Sequence, residues 1–175
     1  KAIAFLPDWD LAPLDKVKRD LNERGIEVGE LSGRSTSIIL KDGEYFYGPR
    51  ETKDRITLVS DFNSGKLDVL LLSRAGCSGI SLHAGAKFKD QRIRKLIEWN
   101  LAANPANRIQ FWGRVRRKDQ VIEPNFFGLA LNILSERRNL AKEDLKREKL
   151  AAHVGMKNNS KEISWLTPEG EAIVA

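Results

Sequence analysis

The chain alternates between two hydrophobic periods, and the alternation itself is the first structural signal. Ala2 to Leu6 is a short apolar run ending at Pro7, which predicts a buried strand. Leu14, Val17 and Leu21 then recur at helical spacing across Leu14 to Arg24, and Gly25 follows as a stop. Ile26 to Leu31 predicts a second strand, followed by the small-residue loop Ser32-Gly33-Arg34-Ser35. Asp42-Gly43, set between Ile38-Ile39-Leu40 and Tyr45-Phe46-Tyr47, predicts a hairpin within Thr36 to Tyr47. Glu51 to Asn63 returns to helical spacing through Ile56, Val59 and Phe62 and stops at Ser64-Gly65. Val69 to Leu72 is continuously apolar, as a parallel strand covered on both faces would be.

The second half repeats the scheme. A loop of small residues from Ser73 to His83 follows the Val69 strand directly. Arg92 to Trp99 predicts a strand whose apolar part is Leu96, Ile97 and Trp99. Asn104-Pro105 predicts a helix start, with Asn104 as cap and Pro105 in the first turn. Phe126 to Ile133 predicts a last strand, and Ser135 caps a charged helix to about His153. Gly155 to Ala175 reads as a tail, a small docking segment or a linker. Repeated strand-helix-strand units predict an α/β fold with a mostly parallel sheet.

Composition narrows the partner. The net charge is +6 and the sequence pI about 9.5, which favours a polyanion such as nucleic acid. Cys77 is the single cysteine, so no internal disulfide forms, and a cytoplasmic or nucleoid-associated location is expected. No apolar run approaches the ~20 residues that span a bilayer, so no membrane partner is expected. His83 and His153 lack metal-ligand spacing, and no metal site is predicted. Because a strand-like run follows Lys1 at once, a longer protein is expected to precede it.

The densest candidate chemistry lies in Ile109 to Gln120. Arg114, Arg116, Arg117 and Lys118 place four cations within five residues, beside Phe111, Trp112 and Gly113. Such a cluster is costly unless an anion sits opposite, because like charges repel. A glycine before the first arginine suggests close packing or a turn. The small-residue loop from Ser73 to Ser81 suits close approach of backbone amides to phosphate or ribose, and arginines can neutralise charge on transferring phosphate.

On these residues the chain resembles superfamily 2 helicases and translocases. Leu71-Leu72-Ser73-Arg74-Ala75-Gly76-Cys77-Ser78-Gly79-Ile80-Ser81-Leu82 is similar to motif V, especially as found in Swi/Snf-type, strawberry-notch-like and phage proteins. Gln110 to Arg117, Gln-x-x-Gly-Arg-x-x-Arg, resembles motif VI, and Lys1 to Pro7 would be motif IV. The resemblance implies a RecA-like three-layer domain over residues 1–134, with the hairpin of about 36–48 as an insert, and a C-terminal helix and tail over 135–175. It implies that Arg114 and Arg117 are arginine fingers and that Gln110, Gly113, Gly79 and Ser81 serve the nucleotide. Ser32, Gly33, Arg34, Ser73 and Arg74 would contact nucleic acid, with DNA favoured over RNA. Two departures stand out: Ser81 replaces a frequent aspartate, and Phe111 replaces a frequent basic residue.

The resemblance also implies ATP and Mg²⁺, yet the chain has no Gly-x-x-x-x-Gly-Lys-Ser/Thr loop and no Asp-Glu-x-His box. Those parts are expected from an N-terminal RecA-like domain of the same protein. The competing expectation is a non-catalytic nucleic-acid-binding module in which the same basic cluster only contacts phosphates.

Overall fold

The structure is a computed structural model, and it describes residues 13–41, 44–50, 52–73, 79–99, 104–153, 163–166 and 172–173. The strand expected at Ala2 to Leu6 lies outside these residues. The chain divides into two compact units, Lys1–Ile80 and Ser81–Ala175.

In the first unit, helix α1 (Pro13–Glu23) leads into strand β1 (Val28–Leu31), and Gly25 makes the turn between them at φ 75°. β1 pairs in parallel with β4 (Val69–Leu72), from Val28 opposite Val69 to Leu31 opposite Leu72. All four β1 residues are buried, whereas β4 is half-buried throughout rather than covered on both faces. Among the described residues β4 pairs only with β1, which leaves its outer edge without a neighbouring strand. Gly29 is needed here for space, because a Cβ would stand 2.7 Å from Leu67 Cδ1.

The expected hairpin forms from β2 (Thr36–Lys41) and β3 (Glu44–Pro49), paired antiparallel, while its turn at 42–43 lies outside the described residues. Helix α2 (Arg55–Asn63) starts later than the apolar spacing suggested. Asp54 accepts hydrogen bonds from the amides of Ile56 and Thr57 and so fixes the N-terminus four residues after the expected Glu51 start.

In the second unit, β5 (Lys95–Glu98) and β6 (Asn125–Leu129) pair in parallel around helix α3 (Pro105–Trp112). Asn104 caps α3 through the Ala106 amide and Pro105 occupies the first turn, as the sequence predicted. The inner side of β5 differs from the expectation. Leu96 and Glu98 are buried, while Ile97 and Trp99 are 58% and 59% exposed, so a carboxylate takes the place of an apolar residue.

The reason is a buried ion cluster. Arg108, 2% exposed, donates from Nε to Glu98 Oε1 at 3.0 Å, and Trp112 Nε1 donates to the same oxygen at 2.5 Å. The Arg108 guanidinium stacks over the Trp112 ring at 5.2 Å, and Trp112 packs on Phe126 with ring centroids 5.0 Å apart. Glu143 of helix α4 (Leu134–His153) faces Arg108 Nη1 at 3.7 Å. One guanidinium therefore joins β5, α3 and α4.

Two boundaries shift. β6 ends at Leu129 rather than Ile133, and the Arg137 amide bonds to the Ile133 carbonyl, so α4 begins before Ser135, which is not its cap. The segment read as a tail adds two strands. β7 (Ile163–Leu166) pairs in parallel with β6, and β8 (Ala172–Ile173) pairs antiparallel with β7, giving the sheet order β5-β6-β7-β8.

Removing the cation from this cluster leaves Glu98 and Glu143 buried without it. Arg108→Met is therefore expected to destabilise the chain by about 3–5 kcal/mol, since the pair is broken on one side only. Urea unfolding measures this; a loss under about 1 kcal/mol would show that the cluster is not what joins these elements.

Candidate functional site

The expected site residues sort by unit. In the first, the parallel register carries the loops after β1 and β4 out of the same edge, and the Ser73 amide bonds the Leu31 carbonyl at 3.1 Å. Ser32, Gly33 and Ser73 are thereby brought together. Arg74, Gly76, Cys77 and Ser78 lie outside the described residues. Gly79 follows at φ 71°, a left-handed conformation that a side chain would strain, while a Cβ there would otherwise meet only Arg55 Nη2 at an ordinary 3.8 Å.

Arg34 is held internally. Its Nε donates to Glu30 Oε1 at 2.7 Å and its Nη1 to Asp15 Oδ2 at 2.8 Å, with Nη2 bonded to both carboxylates as well. Ser32 Oγ also donates to Glu30, and Arg50 faces Glu30 at 3.3 Å while bonding the Arg34 carbonyl. Glu30 is 4% exposed. Burial alone would raise the pKa values of Glu30 and Asp15, but the hydrogen bonds and charge of Arg34 hold both below the usual carboxylate range. This network anchors the loop that carries Ser32 and Gly33, so the Arg34 side chain serves the loop's shape.

In the second unit, the end of the motif V stretch is bonded to motif VI. The Leu82 amide donates to the Arg114 carbonyl at 2.8 Å, the Val121 amide to the Ala84 carbonyl at 2.9 Å, and Gly85 bridges antiparallel to Gln120. The backbone from Ser81 to Gly85 thus lies along the turn after α3. Ser81 Oγ sits 2.9 Å from His83 Nδ1, and His83 Nε2 sits 3.0 Å from Asp119 Oδ1. The His83 ring is buried and edge-on to Phe88. Gly85 leaves room for it, since a Cβ there would stand 2.5 Å from Nε2. The bond from His83 is the main reason that the exposed Asp119 carboxyl lies below its ordinary pKa.

The stretch that resembles motif VI divides into helix and turn. Gln110 is exposed on α3, and Gly113 caps the helix with φ −61°. A Cβ at Gly113 would meet only ordinary contacts, the nearest being the Gln110 carbonyl at 3.4 Å, so among the described residues neither close packing nor an unusual turn demands glycine there. Arg114 and Arg117 lie beyond the helix end. The Arg117 amide is fixed by Gln120 Oε1 at 2.9 Å, and Arg116 pairs with Glu123 at 3.2 Å. Neither the Arg114 nor the Arg117 guanidinium forms an ion pair among the described residues, and Arg117 is exposed. Two cations on a backbone fixed by hydrogen bonds are available to an anion. No group of His, Cys, Asp and Glu among the described residues is placed to hold a metal ion.

A family model described as the C-terminal domain on strawberry notch homologue matches residues 12–160. The chain belongs to that family. It is a helicase C-terminal domain of mixed α/β structure with parallel strands, as the sequence predicted. Protein strawberry notch of Drosophila melanogaster is 33% identical over 118 residues, 63% of this chain and 7% of that protein. Protein strawberry notch homolog 1 of Homo sapiens is 31% identical over 118 residues, 63% of this chain and 8% of the relative. Protein FORGETTER 1 of Arabidopsis thaliana is 32% identical over 135 residues, 72% of this chain and 10% of that protein. The chain thus spans a tenth or less of the length of these relatives.

Sequence reasoning missed the supporting residues Glu30, His83, Gly85, Asp119 and Gln120. No local signal pointed to these roles, since His83 meets Asp119 36 positions away and Gly85 meets Gln120 35 positions away. The Arg34 network predicts a pH signature. Because the folded-state pKa values of Glu30 and Asp15 are lowered, their stabilisation is complete above the unfolded values of about 4 and is lost as pH falls through the folded ones. Arg34→Gln is expected to cost about 2–3 kcal/mol at neutral pH, with the difference from wild type shrinking below about pH 4. Chemical denaturation across that range tests it; a pH-independent difference would contradict the network.

Proposed function

We propose that this domain is the second motor domain of an ATP-dependent nucleic-acid translocase or helicase. In this reading Arg114 and Arg117 act as arginine fingers on a nucleotide held by an N-terminal RecA-like domain of the same protein. The observation that carries the reading is the pairing of the Ser81–Gly85 backbone with the turn at Arg114–Val121. Only Ser81 and Leu82, the end of the stretch that resembles motif V, enter this pairing, and it supports the reading because the Arg114 and Arg117 guanidinium groups beside it have no internal counter-ion among the described residues.

The chemistry asked of the chain is electrostatic. A phosphoryl group in transfer spreads negative charge over its oxygens, and preoriented guanidinium donors stabilise that charge without reorganising. Fixing the Arg114 carbonyl and the Arg117 amide by hydrogen bonds reduces the ordering cost of the two side chains. Ser81, oriented through His83, and Gly79 serve the nucleotide alongside Gln110 and Gly113. A glycine at position 113 that the described residues do not demand suits a partner surface that approaches closely. Mg²⁺ neutralises phosphate charge when bound, and its ligands belong to the N-terminal domain, as do the residues that cradle the ATP phosphates. Ser32, Gly33, Ser73 and Arg74 form the nucleic-acid contact, and closure of the two motor domains around ATP would alternate that contact with one on the other domain.

In the full-length protein, Arg114→Ala and Arg117→Ala are each expected to lower nucleic-acid-stimulated ATP turnover by about 10³-fold or more while leaving nucleic-acid affinity within a few-fold. Steady-state ATPase assays with DNA and with RNA, paired with equilibrium binding, make the test. Normal turnover in Arg117→Ala would refute the finger assignment. Weakened binding with a flatter salt dependence and no ATPase in the wild type would favour the non-catalytic module instead.

A further inference from the structure

Helix α4 carries a cationic face that the motor reading does not use. At about 100° per residue, Arg138, Lys142, Lys146 and Lys149 fall within roughly a quarter turn of one another. All four are exposed. The opposite side faces inward: Leu140 is 2% exposed, Glu143 is 5% exposed and directed at Arg108, and Arg147 is paired with Asp144 at 2.7 Å. The orientation of the helix is therefore settled by its own contacts, and the cations point away from the packed side.

The sequence suggests a helix laced with salt bridges, and Asp144 with Arg147 forms one away from the exposed cations. Glu136, Glu143, Asp144 and Glu148 all lie outside the cationic arc. Along that arc Arg138 is followed at i+4 by Lys142, Lys142 at i+4 by Lys146, and Lys146 at i+3 by Lys149. Like charges at these spacings oppose helix formation, whereas a solvated helix gains from alternating signs. A run of cations spanning about 16 Å along one helix face is a surface that a phosphate backbone complements. The stripe is otherwise polar, with Leu134 and Leu145 as exposed apolar neighbours at one edge, and two leucines fall short of the continuous apolar face that a membrane-surface helix needs.

We infer that the outer face of α4, through Arg138, Lys142 and Lys149, is a second nucleic-acid contact that grips the phosphate backbone without reading sequence. It rests on the nucleic-acid part of the proposed function and adds a surface outside the loops named there.

The test uses the full-length protein with Arg138→Gln, Lys142→Gln and Lys149→Gln combined. A second variant, with Lys16→Gln, Lys53→Gln and Lys66→Gln, removes equal charge from the first unit. Binding of fluorescent single-stranded and duplex DNA and of RNA is followed by anisotropy from about 50 to about 200 mM salt, where phosphate contacts dominate affinity. The α4 variant is expected to lower the slope of log K against log salt by about 2 to 3 and to weaken binding at least tenfold at the lower salt, with helix content unchanged by circular dichroism. The single change Lys142→Gln should give about a third of the slope effect.

An unchanged slope in the α4 variant overturns the inference, as does an equal loss in the variant altered in the first unit, which would reduce the effect to net charge. Absence of any binding by the wild type would overturn it together with the nucleic-acid reading. Loss of turnover in Arg114→Ala is read separately, so the finger assignment can stand or fall independently. Wild-type binding to anionic phospholipid vesicles in place of nucleic acid would also overturn the inference.

Discussion

The buried Glu98 carboxylate dictates how the second unit is assembled. A carboxylate on the inner side of a strand is tolerated only where hydrogen bonds and an opposite charge replace its water. Arg108 and Trp112 supply both from α3, and Glu143 completes the charge arrangement from α4. Because Arg108 and Trp112 lie four residues apart on one helix face, meeting Glu98 fixes the rotation of α3 about its axis. It therefore fixes where the helix ends, and the turn that follows carries Gly113 to Arg117. The turn that carries the candidate fingers thus depends on a polar contact in the core together with the backbone bonds of Arg114 and Arg117.

A second polar network has a comparable role in the first unit. Glu30 is buried in β1 and gathers Arg34, Arg50 and Ser32 around it, while Asp15 from α1 takes the other side of Arg34. The loop after β1 thus keeps one shape beside Ser73. In both units a carboxylate on a parallel strand organises the segment that emerges nearby.

Much of this was legible in the sequence. Gly25, Asn104-Pro105 and the Val69 run marked element type directly, because their signals are local. The slip at β5 has a clear cause: hydrophobicity favoured Ile97 and Trp99 for the core, but a strand has period two, and the Arg108 contact ten residues away selected Leu96 and Glu98. β7 was invisible because Ile163 to Leu166 is short and gains its strand character from β6. At the candidate site, the expectation for Gln110, Gly113, Arg114 and Arg117 came from the Gln-x-x-Gly-Arg-x-x-Arg pattern and its resemblance to motif VI. The engagement of Arg34 by Asp15 and Glu30, and the Ser81–His83–Asp119 contacts, depend on folding and left no periodic trace.

The central claim is that this domain lends arginines to a nucleotide that another domain holds. Its most direct test is an experimental structure of the full-length protein with Mg·ADP and a fluoride analogue of the transferring phosphoryl group. An Arg114 or Arg117 guanidinium nitrogen is expected about 3 Å from a fluoride, with the Leu82–Arg114 backbone bond intact. Both guanidinium groups directed instead to nucleic-acid phosphates or to solvent, away from the nucleotide, would contradict it.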